Sequence, residues 1–261
     1  MNIFSKNNIL KKCFVEFFGT GLVIFFGIGS LAASKLTNIN LNQFEISCIW
    51  GFGVSISIYF SSSISGAHLN PAITIFFWLS TKFNKRKVLP YIISQIFGSF
   101  FFTTLIYYLY KNLLLSFEMK NHIIRGTYDS LNIASIFCVY PNYNNSFIYD
   151  LIIEMFSTAL FTLILLEFNN RNNKCFSHDR SIIPVLIGLL VCMINLVFTP
   201  LNNITLNPAR DLGPKIFLSL NGWGVLAFTG GNDNILYCLI PIIGPILGAN
   251  LAGWIHKVFI K

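Results

Sequence analysis

Ser65-Gly66-Ala67-His68-Leu69-Asn70-Pro71-Ala72 and Ile204-Thr205-Leu206-Asn207-Pro208-Ala209-Arg210-Asp211 decide how this chain folds, one stretch in each half. Each Asn-Pro-Ala follows a long apolar segment and precedes a short one. Asn is a strong N-cap, and Pro suits the first helical position because its missing N–H would have no partner there. Each box therefore predicts the start of a helix. The apolar run that follows holds only about ten to twelve residues, whereas a bilayer core takes about twenty. Paired short segments at matching positions of two halves are the sequence sign of half-helices that meet at the midplane.

The repeat extends outward from the boxes. Asn70 and Asn207 are 137 positions apart, as are Gly51 and Gly188; Glu16 and Glu154 are 138 apart. Spans are predicted near Phe14–Ala33, Phe44–Ser62, Pro90–Tyr110, Phe147–Phe168, Ile182–Phe198 and Ile235–Phe259, with half-helices from Asn70 to about Leu79 and Asn207 to about Leu220. Three full spans per half is an odd number, so the second half begins on the opposite face and the repeats, about 8–110 and 147–259, are inverted. The predicted fold is one all-α integral membrane domain over 1–261, with six transmembrane helices and two re-entrant half-helices. Non-helical backbone at that depth is tolerated where it is buried in protein or lines a polar cavity, so a pore is expected. Lys111 to Ser146 reads as a polar outer vestibule loop.

Composition agrees. The 261 residues are 54% apolar and 11% charged, and 27 of them are Phe. The mean hydropathy is +0.64. The net charge of +8 would suit nucleic acid if it formed one patch, but its placement follows topology. Lys6, Lys11, Lys12, Lys82, Lys85, Arg86, Lys87, Arg171, Lys174, Arg180, Lys257 and Lys261 all fall on one side of a six-span chain. The other loops carry Lys35, Lys111, Lys120 and Arg125, so both termini are expected in the cytoplasm. The richness in Asn, Ile, Lys and Phe suggests a bacterium, and hence its inner membrane. The first span imitates a secretory signal, yet it is long, contains Glu16 and has a counterpart in the second half, so it is expected to be retained. Six cysteines show no metal spacing; no disulfide is expected, and Cys138, in the outer loop, is the exposed candidate for reactivity.

The two boxes, with Arg210 and Asp211 directly after the second, resemble the major intrinsic protein family. Ser65 to Thr74 and Asn207 to Lys215 resemble its glycerol-facilitator branch, and the likeness covers nearly the whole chain. The resemblance implies a passive channel for glycerol and other small neutral polyols, with some water and urea, that excludes ions and protons. A water-selective channel of the same fold is the nearest alternative. A homotetramer in the lipid bilayer is implied by resemblance only, and no cofactor or metal is expected. By the same alignment the constriction comprises Trp50, Asn195, Ile204 and Arg210, and Asp211 and Lys215 settle near the outer mouth. The branch usually shows Gly and Phe where this chain has Asn195 and Ile204, a departure that bears on solute choice.

Each residue also has a plainer reading. Asn70 and Asn207 are either N-caps alone or caps whose amides donate to a passing oxygen. Each helix start carries roughly half a positive charge, which opposes cations and orients water. The carbonyls of Gly66, Ala67, His68, Asn203, Ile204 and Thr205 are expected to form ladders of acceptors. His68 is a metal ligand, a proton relay or, without a second ligand at spacing, a residue that orients its turn. Arg210 either pairs with Asp211 or lines the constriction; a membrane-centre Arg costs at least about 2.5–3.5 kcal/mol and is rarely idle. Trp50 is a filter wall or an interfacial belt residue. Glu16 and Glu154 form a proton relay, which would imply a coupled transporter with broken helices, or they brace the re-entrant loops. No catalytic signature appears, so an enzyme is not expected.

Overall fold

The computed structural model describes residues 8–141, 145–170, 175, 179–231 and 235–260, the last segment's residues 235 and 236 in backbone only. Of the basic residues used for orientation above, Lys6, Arg171, Lys174 and Lys261 lie outside the described residues. The chain is helical, with no strand among the described residues.

Helix α1 (Ile9–Leu36) starts where the Asn8 side chain accepts from the Leu10 N–H. Helix α2 (Gln43–Ser65) opens with a reciprocal cap: Asn42 Oδ1 accepts from Glu45 N at 3.0 Å, and Asn42 N donates to Glu45 Oε2 at 2.8 Å. It stops at Gly66, whose φ of +94° carries the backbone out of the helix. Helices α3 (Pro71–Ser80) and α4 (Val88–Leu109) complete the first half. After α5 (Lys111–Lys120) and α6 (Leu131–Ala134), the second half repeats the pattern. It runs through α7 (Phe147–Asn169), α8 (Ile183–Phe198), α9 (Pro208–Leu218), a short α10 (Leu226–Thr229) and α11 (Ile240–Ile255).

Among the described residues, five helical stretches are long and apolar enough to cross a membrane: α1, α2, Lys85–Leu109, α7 and Tyr237–Ile260. The remaining predicted span, the fifth in chain order, is α8; it has 16 residues, a rise of about 24 Å against a hydrocarbon core of about 30 Å. It ends at Phe198 because Pro200 has no N–H to offer the next turn.

The halves pack alike. α1 lies on α4 and α7 on α11, with α2 crossing α8 between them. Small residues set these approaches: a Cβ on Gly98 would sit 2.1 Å from the Phe17 carbonyl oxygen, and one on Gly248 would sit 2.2 Å from that of Met155. The two half-helices α3 and α9 meet in the interior.

The stretch from Lys111 to Ser146 differs from the polar loop expected of it. It holds α5, α6 and a core of Leu131, Ile133, Ile136 and Phe137, all buried against α1 and α9 side chains. Its apolar residues come in short runs with no helical period, so they did not register as a packed element. Cys138, expected to be exposed, is buried there, and burial, with Asp211 adding to it, pushes its thiol up to about 12. Among the described cysteines the exposed one is Cys175.

Candidate functional site

The half-helix starts are built by their own sequence. Asn70 Oδ1 accepts from Ala72 N at 2.9 Å and Asn207 Oδ1 from Ala209 N at 3.0 Å, while Pro71 and Pro208 occupy the first helical positions. The same amides reach across to the other half. Asn70 Nδ2 donates to the Leu206 carbonyl at 2.7 Å, and Asn207 Nδ2 donates to the Leu69 carbonyl at 2.8 Å. Each amide has two N–H donors, so the cross-link uses one and leaves the second for whatever lies beside it.

Those carbonyls are presented by an unusual backbone. Leu69 and Leu206 have φ of +51° and +57°. A left-handed conformation costs an L-residue roughly 1–2 kcal/mol. Two buried carboxylates hold it. Glu16 accepts from His68 N at 3.0 Å, Leu69 N at 2.7 Å, Ser65 Oγ at 2.5 Å and Gln95 Nε2 at 2.7 Å. Glu154 accepts from Leu206 N at 2.7 Å, Thr205 N at 3.0 Å and Thr205 Oγ1 at 2.6 Å. The carboxylates thereby satisfy backbone N–H groups that no helix can pair. Neither borders the cavity described next.

One cavity of about 680 Å³ runs beside the junction. It extends from Gln43 and Ser47 in the first turns of α2 to Asn169 at the end of α7 and Arg180 just before α8. Gly66, Ala67, His68, Asn203, Ile204 and Thr205 line it in two runs of irregular backbone, with Asn70 and Asn207 between them. The apolar side chains of Val54, Ile58, Phe161, Ile187 and Val191 line it as well. The lining thus combines irregular backbone and side-chain amides with hydrocarbon.

Trp50, Asn195, Ile204 and Arg210 all border this cavity. Trp50 is buried against Gly27, not placed in an interfacial belt, and the Arg210 guanidinium lies 4.9 Å from its ring centroid. Arg210 Nη1 donates to the Phe137 carbonyl at 3.2 Å, while its approach to Asp211 Oδ1 is 4.0 Å, beyond hydrogen-bonding reach. A five-donor fork stacked on Trp50 has donors to spare for the lumen. His68 lines the cavity with Nδ1 3.2 Å from Thr74 Oγ1, its ring packed on Phe77, Phe83 and Tyr91.

Other expected residues stand elsewhere. Pro71, Ala72, Pro208 and Ala209 are buried behind the wall. Asp211 and Lys215, expected near the outer mouth, are fully buried and bonded to each other. Asp211 Oδ1 also accepts from Val139 N at 2.8 Å, and Lys215 Nζ lies 5.6 Å from the ring centroids of both Tyr140 and Tyr237. The pair therefore fastens the loop that carries Phe137 to α9. An i,i+4 spacing permits such a pair, but only the loop folding over it removes it from water. Residues not singled out from sequence include Phe137, which supplies a carbonyl, and Gln95, whose amide inside an apolar span was a legible signal.

The chain matches the family model described as "Major intrinsic protein" over residues 3–256. It is 78% identical over 261 residues to the "Glycerol uptake facilitator protein" of Buchnera aphidicola subsp. Acyrthosiphon pisum (strain APS), covering 100% of this chain and 99% of the relative. It is 45% identical over 257 residues to the protein of the same name from Escherichia coli (strain K12), covering 98% of this chain and 90% of that one. Among solved structures it is similar to "X-ray structure of the aquaglyceroporin from Plasmodium falciparum", with a TM-score of 0.83, 24% identity and 97% of each chain covered.

Proposed function

Starting from the fact that the chain belongs to the major intrinsic protein family, we propose that it is a passive channel for glycerol and other small neutral polyols, with some passage of water and urea. The observation that supports this reading is the mixed lining of the cavity. A polyol has a carbon edge and a hydroxyl edge, and the lining combines apolar side chains with two runs of irregular backbone at residues 66–68 and 203–205. A hydroxyl stripped of water without a new partner costs roughly 1–3 kcal/mol on protein scales. Arg210, the two ladders and the spare N–H groups of Asn70 and Asn207 replace that hydration stepwise. Trp50, Asn195, Ile204 and Arg210 form the filter. The positive helix ends at Asn70 and Asn207, together with Arg210, oppose cations and protons.

Glu16 and Glu154 act as braces here, since their oxygens are committed to the re-entrant loops. The chain is one channel domain with inverted repeats at about 8–110 and 147–259 and no enzymatic step. It forms homotetramers in a bacterial inner membrane with both termini cytoplasmic. Stopped-flow light scattering of proteoliposomes under glycerol, urea and water gradients tests the function. Glycerol flux should follow its own gradient and ignore proton, sodium and voltage gradients. Accumulation against the gradient after a pH step would favour a coupled transporter, and water flux without glycerol flux would favour a water-selective channel.

A further inference from the structure

Cys48 and Cys192 are 144 positions apart in sequence, yet their Sγ atoms lie 3.6 Å apart, Cys48 on α2 and Cys192 on α8. The crossing of the two repeats brings them together. One turn from Cys48, α2 touches α8 at Gly51, where a Cβ would come within 3.2 Å of the Cys192 Cβ. Both thiols are free, Cys48 half-buried and Cys192 buried. The wall on either side is pore wall: Ser47 and Trp50 flank Cys48, and Val191 and Asn195 flank Cys192, and all four border the cavity.

We propose that Cys48 and Cys192 are an oxidisable pair, a modification site that forms a disulfide stapling the two repeats together beside the filter. The thiols must close by about 1.5 Å to reach the S–S length of roughly 2.05 Å. Rotation about the two Cα–Cβ bonds is the movement that this closure requires. The oxidant is a small external disulfide. The half-buried Cys48, as thiolate, attacks it and releases one thiol, leaving a mixed disulfide on Cys48. Cys192 then attacks the Cys48 sulfur and releases the second. Two protein thiols are oxidised and one disulfide is reduced to two thiols, so electrons and protons balance. With cytoplasmic termini, as proposed above, the first turns of α2 face the opposite, oxidising side, where such bonds persist. That placement rests on the orientation; the chemistry of the pair does not.

The test uses the whole chain in lipid vesicles treated with 2-hydroxyethyl disulfide, a small acyclic disulfide, with and without later reduction. Protease then nicks the loops between the two halves, and the products run on a denaturing gel without reductant. The fragments carrying Cys48 and Cys192 should stay joined, separate on reduction, and give a cross-linked peptide pair 2 Da lighter than the two thiol peptides. Cys48→Ser and Cys192→Ala should each abolish the joined band. Fragments that separate without reductant in the parent overturn the proposal, as does a joined band that persists in either variant. The parent alone decides the matter if a variant fails to fold.

Discussion

Gly51 and Gly188 meet where α2 crosses α8: a Cβ on Gly51 would lie 2.4 Å from the Gly188 carbonyl oxygen, and one on Gly188 would lie 2.3 Å from that of Gly51. The contact is reciprocal because the two residues are equivalents in an inverted repeat. A Cβ on Gly188 would also lie 2.0 Å from Ser55 Oγ, but even with that hydroxyl moved aside the backbone contact remains.

Gly188→Ala should therefore force the helices apart, at a cost of about 1–3 kcal/mol as for other overpacked sites. Folded yield and thermal midpoint in detergent should fall. Gly29→Ala is the control, since its Cβ would meet only Ile106 Cδ1, at 3.4 Å, and it should leave both unchanged or slightly raised.

Glu154→Gln should lower folded yield while solute ranking stays as in the parent. Thr205 N, Thr205 Oγ1 and Leu206 N all reach Oε1, so a Gln oxygen placed there still accepts from them but without the charge, while its NH₂ becomes a new buried donor set against the Thr205 N–H. An unpaired buried donor costs about 1–3 kcal/mol. Glu16→Gln should behave alike. A variant with normal yield whose glycerol flux has become proton-dependent would contradict the bracing role.

Arg210→Gln should keep neutral donors beside Trp50 but remove the fixed charge. Loss of about 1.4 kcal/mol from a barrier speeds passage tenfold, so proton or cation leak should become measurable by potential-sensitive dye in liposomes. Glycerol flux should change less than the leak does.

Lys215→Met should be the most destabilising of these changes, because it strands buried Asp211 with only the Val139 N–H and a distant Arg210. Breaking a buried pair from one side costs about 3–5 kcal/mol. Adding Asp211→Asn should recover part of the thermal stability lost by Lys215→Met.

Ile204→Phe alone should crowd the passage and slow glycerol, since Asn195 borders the same space. The double change Asn195→Gly with Ile204→Phe should restore glycerol flux and sharpen discrimination against water and urea. Flux ratios for the three solutes decide this. Unchanged ratios in both variants would remove Asn195 and Ile204 from the filter.

The helix starts, the half-helices and the repeat were legible in the sequence because their causes are local. An Asn side chain caps the N–H two residues on, and Pro fits only the first turn, so Asn70-Pro71 and Asn207-Pro208 announce themselves without a neighbour. The 137-residue spacing then fixed which elements correspond. Tertiary structure decided the partners. That Asn70 spends an N–H on Leu206, and Asn207 on Leu69, depends on two distant turns arriving at one place with left-handed backbone. The loop core of Leu131, Ile133 and Phe137 has no period to read; it becomes apolar interior only once α1 and α9 supply the other surface. Asp211 and Lys215 could have faced water at the same spacing, and burial under that loop is what makes each the other's partner. Cys48 and Cys192 touch because two glycines let two helix backbones into contact, and no local pattern in either helix encodes that approach.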